Sequence, residues 1–108
     1  MINVIKPKKK PPPKEKVIQS KILAWLKQQG FSVDVITLGA YSTKGVADIV
    51  GCLPDGTFLG IEVKRPNAKP TALQKAWMTD KRQNNAICFV AHSVDECHEL
   101  LRGYGYVD

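Results

Sequence analysis

The tripeptide Pro54-Asp55-Gly56 separates two runs rich in apolar and β-branched residues, 46–53 and 57–63, and constrains this chain more than any other stretch. Proline presets a helical φ at the first loop position, aspartate tolerates the second, and glycine accepts φ > 0 at the third. That is the pattern of a three-residue hairpin loop closed by a glycine bulge. Leu53 then faces Thr57, and the numbers of facing residues add to 110, so Asp48 lies opposite Glu62 and Val46 opposite Lys64. Strand side chains alternate with period two, which sends Asp48, Glu62 and Lys64 to one face. A two-residue loop would move the register by one and turn Asp48 away.

Two carboxylates a cross-strand pair apart, flanked by Val46, Ala47, Ile49, Val50, Ile61 and Val63, repel each other in half-buried surroundings. Something positive has to sit between them. Lys64 lies a step along the strand, so the pair is left to grip a hard divalent cation such as Mg²⁺ through oxygen. An ion with few protein ligands keeps its waters and open positions, which phosphodiester hydrolysis requires. Lys64 would orient the attacking water or neutralise developing charge. The plain alternative is a charged sheet surface, but two acids facing each other with no base between them are unfavourable there.

Around this hairpin the chain reads helix, three strands, helix, strand, helix. Ile18, Ile22, Trp25, Leu26 and Gln29 recur at helical spacing and Gly30 supplies a left-handed stop. Phe31, Val33 and Val35 alternate as a strand, and a loop over residues 38–45 follows. Thr71-Ala72-Leu73-Gln74 has capping-box spacing and opens a helix with Leu73, Ala76 and Trp77 on one stripe. Residues 86–92 form a short apolar strand, and Ser93-Val94-Asp95-Glu96 opens a last helix with Leu100 and Leu101 before Gly103. This order implies an α/β fold, one mixed sheet flanked by helices.

A chain of 108 residues holds one core. Residues 1–16 carry six lysines against Glu15 and leave ten basic against nine acidic residues elsewhere, so most of the net charge of +6 sits in this segment. Pro11, Pro12 and Pro13 lack amide donors and the lysines repel one another, so residues 1–13 read as a disordered basic arm before a single domain over 14–108. Such an arm binds phosphate polyanions; a solubilising tail and a nuclear-import signal are its other readings. No apolar run has bilayer length and no signal-peptide core follows Met1, so no membrane partner and an intracellular, cytoplasmic or nuclear, location are expected. Cys52, Cys88 and Cys97 lack metal-ligand spacing and read as reduced, buried small hydrophobes.

Asp48 followed by Glu62-Val63-Lys64 resembles the PD-(D/E)XK nuclease motif. More narrowly, Gly45-Val46-Ala47-Asp48-Ile49, Gly60-Ile61-Glu62-Val63-Lys64-Arg65 and Gln74 with Trp77 resemble the virus-type replication-repair nuclease (VRR-NUC) domain over residues 14–102. Ala47 stands where that family often has proline before the aspartate, a change that leaves the ligands intact. The resemblance implies a restriction-endonuclease-like αβββαβ core. It also implies an Mg²⁺- or Mn²⁺-dependent DNA endonuclease without a small-molecule cofactor, in which Asp48, Glu62 and the Val63 carbonyl bind metal and Lys64 is catalytic. It further implies an acid on the first helix, for which Glu15 is the candidate, and a homodimer acting on branched DNA such as Holliday junctions. Flap, nicking or single-strand cleavage, or a DNA-binding repair module with weak catalysis, are the rival readings.

Other residues have structural readings beside these. Glu15 suits the first turn of any helix through the dipole, and Gln74 caps its helix without catalysis, although the resemblance draws it to the site. Trp25 and Trp77 lie on helical stripes and read as core. Lys44, Arg65, Lys69 and Lys75 fall near the site in sequence and, with Tyr41, are candidates to hold DNA. His92 and His98 have no nucleophile or metal-spaced partner and no catalytic role is assigned to them.

Overall fold

The computed structural model describes residues 11–37 and 44–108. Tyr41 and most of the basic arm lie outside these residues. Pro11 to Lys14 are exposed and have no regular secondary structure. Helix α1 (Glu15–Gln28) begins directly after them, with Lys14 at the N-cap position offering no side-chain cap. Strands β1 (Ser32–Val35), β2 (Ile49–Cys52) and β3 (Phe58–Val63) follow, then α2 (Ala72–Gln83), β4 (Ile87–Ala91) and α3 (Val94–Gly103). The sheet order is β1-β2-β3-β4, antiparallel except for the parallel β3–β4 pair. The parallel pair exists because α2 carries the chain back across the sheet.

The hairpin has the register its turn dictates. Ile49 pairs with Ile61, Val50 with Gly60, Gly51 with Leu59 and Cys52 with Phe58. Gly56 has φ +87 and donates to the Leu53 carbonyl, while Leu53 N–H donates to Thr57 O. The ladder stops at Ile49–Ile61, so neither Asp48 and Glu62 nor Val46 and Lys64 are a strand pair; Asp48 bonds to Val63 N–H through its side chain, and Lys64 N–H donates to Ala91 O of β4 at 3.1 Å.

Alternation gives the sheet two different faces. Ile49, Leu59, Ile61, Val63, Phe89 and Ala91 pack against Ile18, Ile22 and Leu26 of α1 and Cys97 and Leu101 of α3, forming the main core. The other face carries Gly60, Glu62 and Cys88; α2 packs over it on β4 and reaches β3 through Trp77 at Gly60 and Gln74 at Glu62.

Three local expectations change. On α2 the buried residue is Met78, while Leu73 is 56% exposed and Ala76 is exposed as well. Gln74 faces the sheet, so Trp77 and Met78 follow it inward one turn later and Leu73 and Ala76 rotate out. Cys52 is exposed because α2 does not reach the outer face of β2 beside the turn; Cys88 and Cys97 are buried. Gly103 is the last residue of α3, and the left-handed residue after the helix is Gly105, φ +87.

Candidate metal centre

Asp48 is held from both sides. Its carbonyl accepts from Ile36 N–H at 2.9 Å, continuing the β1–β2 ladder, and its Oδ2 accepts from Val63 N–H at 2.8 Å, closing the hairpin end. Glu62 on the neighbouring strand is 1% exposed, the only buried charged side chain among the described residues. Glu15 reaches the same point from the first turn of α1. One carboxylate oxygen from each of Glu15, Asp48 and Glu62 lies within 4.8 Å of the others.

Gln74 fulfils both of its readings. Its Oε1 accepts from Thr71 N–H at 2.8 Å and Thr71 Oγ1 accepts from Gln74 N–H at 3.2 Å, a complete capping box. Its Nε2 then donates to Glu62 Oε1 at 2.7 Å. Lys64 Nζ stands 3.7 Å from the same oxygen. Both partners therefore engage Oε1, and the buried Oε2 of Glu62 has no hydrogen-bond partner. Burial, then the adjacent Asp48 carboxylate, push the Glu62 pKa from 4.5 up to about 8; Lys64 pulls it down and Glu15 adds to the rise.

Three acidic groups converge beside one ammonium, and the orphaned buried oxygen of Glu62 costs free energy that a ligand would recover. All the donors are hard oxygens. The donor set fits a hard divalent cation, a class that includes Mg²⁺ and Mn²⁺.

Two glycines keep α2 against this site, and periodicity alone did not single them out. A Cβ at Gly60 would lie 3.0 Å from both Cys88 Sγ and the Trp77 ring, so the bare backbone lets the indole rest on β3 two residues from Glu62. Gly45, φ +86, would place a Cβ 2.5 Å from Leu73 O and so docks the segment before Asp48 on the start of α2. Trp77 packs beside Phe58 with ring centroids 6.1 Å apart, and Trp25 lies against His98 at 5.2 Å with the rings tilted by 40°. Lys44, Arg65, Lys69 and Lys75 are exposed, and none is ion-paired among the described residues.

Comparison with solved structures finds the same architecture elsewhere. A VRR_NUC domain protein is 18% identical, with 87% of this chain and 89% of that one covered and a TM-score of 0.72. A structure described as a VRR_NUC domain is 26% identical, with 83% of this chain and 96% of the other covered and a TM-score of 0.70. This chain has the fold of a VRR-NUC domain. The likeness supports a nuclease-type domain, and Glu62 of the cluster lies on the side of the sheet that carries α2, where Gln74 bonds to it, while Glu15 reaches it from the start of α1. No protein-family model matches the sequence, and no curated protein does.

Proposed function

We propose that this protein is an Mg²⁺- or Mn²⁺-dependent DNA endonuclease that hydrolyses phosphodiester bonds, selects branched DNA such as Holliday junctions and acts as a homodimer. The observation that carries this reading is the convergence of Glu15, Asp48 and Glu62 around an unpartnered buried oxygen, with Lys64 beside them. In it, the three carboxylates and the Val63 carbonyl hold the metal. When bound, the ion supplies Lewis acidity towards a phosphate oxygen and makes a water more acidic. Lys64 offsets the negative charge that builds on the phosphate, and Gln74 fixes the Glu62 carboxylate by occupying one of its oxygens. Lys44, Arg65, Lys69 and Lys75 grip flanking phosphates, and the basic arm at 1–13 adds salt-sensitive affinity to the domain at 14–108. The dimer follows from symmetry, since one centre per chain makes one cut and symmetric resolution of a junction needs two.

The test is cleavage of matched labelled substrates (four-way junction, flap, duplex and single strand) with Mg²⁺, Mn²⁺ or EDTA, beside Lys64→Ala. Metal-dependent cutting of the junction that the variant lacks is the expected result. Preference for flap or single strand would replace the junction reading. Binding without cutting in either metal would leave a DNA-binding repair module.

A further inference from the structure

His92 follows β4 on the same face of the sheet as Glu62. Alternation groups Cys88, Val90 and His92, and Val90 is the partner of Glu62 across the parallel ladder. The imidazole spans two acceptors. Nδ1 lies 2.9 and 3.2 Å from the two carboxylate oxygens of Glu96, and Nε2 lies 3.0 Å from Ala68 O. A neutral imidazole has one N–H and serves one of these groups, whereas the imidazolium donates to both. The Glu96 carboxylate, and after it the Ala68 carbonyl, accordingly raise the His92 pKa above its usual 6.5.

Ala68 lies in the loop that joins Lys64 to the cap of α2. Within that loop Ala68 N–H donates to Arg65 O at 3.0 Å, and Asn67 adopts φ +68, a left-handed conformation that asparagine tolerates better than most residues. Among the described residues, His92 is the only side chain outside residues 65–70 that hydrogen-bonds to them. The loop leads directly into Thr71 and Gln74, and Gln74 holds Glu62.

We infer that His92 is a positioning residue for the metal centre: doubly protonated, it ties the 65–70 loop to β4 and α3 and so fixes Lys64 and Gln74 relative to Glu62. The functional part of this inference rests on the nuclease reading; the loop anchor does not. Among the described residues, Glu96 is the only charged group bonded to the ring. Lys69 lines the hollow of about 470 Å³ on one side of His92, and Lys21 and Asp95 line the hollow on the other. Two carboxylates and two ammoniums thus surround the ring, leaving the hydrogen bonds to Glu96 and Ala68 to decide its charge.

The test follows amide exchange over residues 65–75, corrected for intrinsic rates, and cleavage kinetics, both against pH, in wild type, His92→Ala and His92→Gln. The wild-type loop is expected to lose about tenfold in protection as the imidazolium deprotonates. His92→Ala should lack that protection at every pH and lose about tenfold in kcat with little change in KM for DNA. In His92→Gln the amide can still donate to Ala68 O, so protection should be kept without the pH step. Wild-type exchange in His92→Ala, or an undiminished pH step in His92→Gln, would overturn the anchor. If His92→Ala fails to fold, His92→Gln decides alone. The expected exchange pattern in a wild-type protein that cuts no DNA would support the anchor while sinking the nuclease reading.

Discussion

Glu62 concentrates the physics of the site in one residue. Its pKa is raised from 4.5 to about 8, first by burial and then by Asp48. The folded state therefore holds a proton that the unfolded chain releases near pH 4.5, and linkage fixes the sign. In EDTA, the stabilising contribution is fully present below pH 4.5 and is lost as pH rises towards about 8. Thermal melts between about pH 5 and about pH 9 should show wild type losing stability over that window while Glu62→Gln stays flatter. Equal slopes would mean that Glu62 is ionised in the metal-free protein. Glu62→Gln should also abolish cleavage while leaving DNA binding largely intact, as measured by gel shift and cleavage on the same junction. Loss of binding as well would point to a disrupted hairpin.

At the scale of elements, the hairpin and α2 meet through backbone as much as through side chains. Gly60→Ala would drive a methyl group into Cys88 and the Trp77 ring, so α2 must lift, at a cost of about 1–3 kcal/mol by overpacking. Chemical denaturation should register that loss, and cleavage should fall with it because Gln74 rides on the same helix. Unchanged stability would mean the indole has free space above β3. The hairpin register could be read from the sequence because a Pro-Asp-Gly loop permits one pairing, and the observed ladder has that pairing. The facing of α2 could not. Leu73, Ala76 and Trp77 form as good a helical stripe as the one that turns inward, and the choice between them is made by Gln74 reaching Glu62, twelve residues away in sequence. The His92–Ala68 bond spans 24 residues and was equally out of reach of local pattern.

Across the whole molecule, the sheet divides its labour. One face forms the core with α1 and α3, and the other presents Glu62 beside α2, with Glu15 reaching it from the start of α1. The alternating apolar residues of the strands and the i, i+4 spacing of Ile18, Ile22 and Leu26 made the core face readable. The meeting of Glu15 with Asp48 and Glu62 depends on how α1 crosses the sheet, which spacing does not encode. The separation of charge also belongs to this scale: the lysines of the arm carry most of the net +6, while the body is close to neutral. Removing residues 1–12 should weaken DNA binding and flatten its dependence on salt; an unchanged salt slope would assign the arm to solubility. The proposed nuclease chemistry requires Glu15, Asp48 and Glu62 to hold a divalent cation. Calorimetric titration of Mn²⁺ into wild type and Glu62→Gln tests it most directly. Wild type should bind the ion saturably and the variant should lose that binding; the same isotherm in both proteins would rule out a cation held by these side chains.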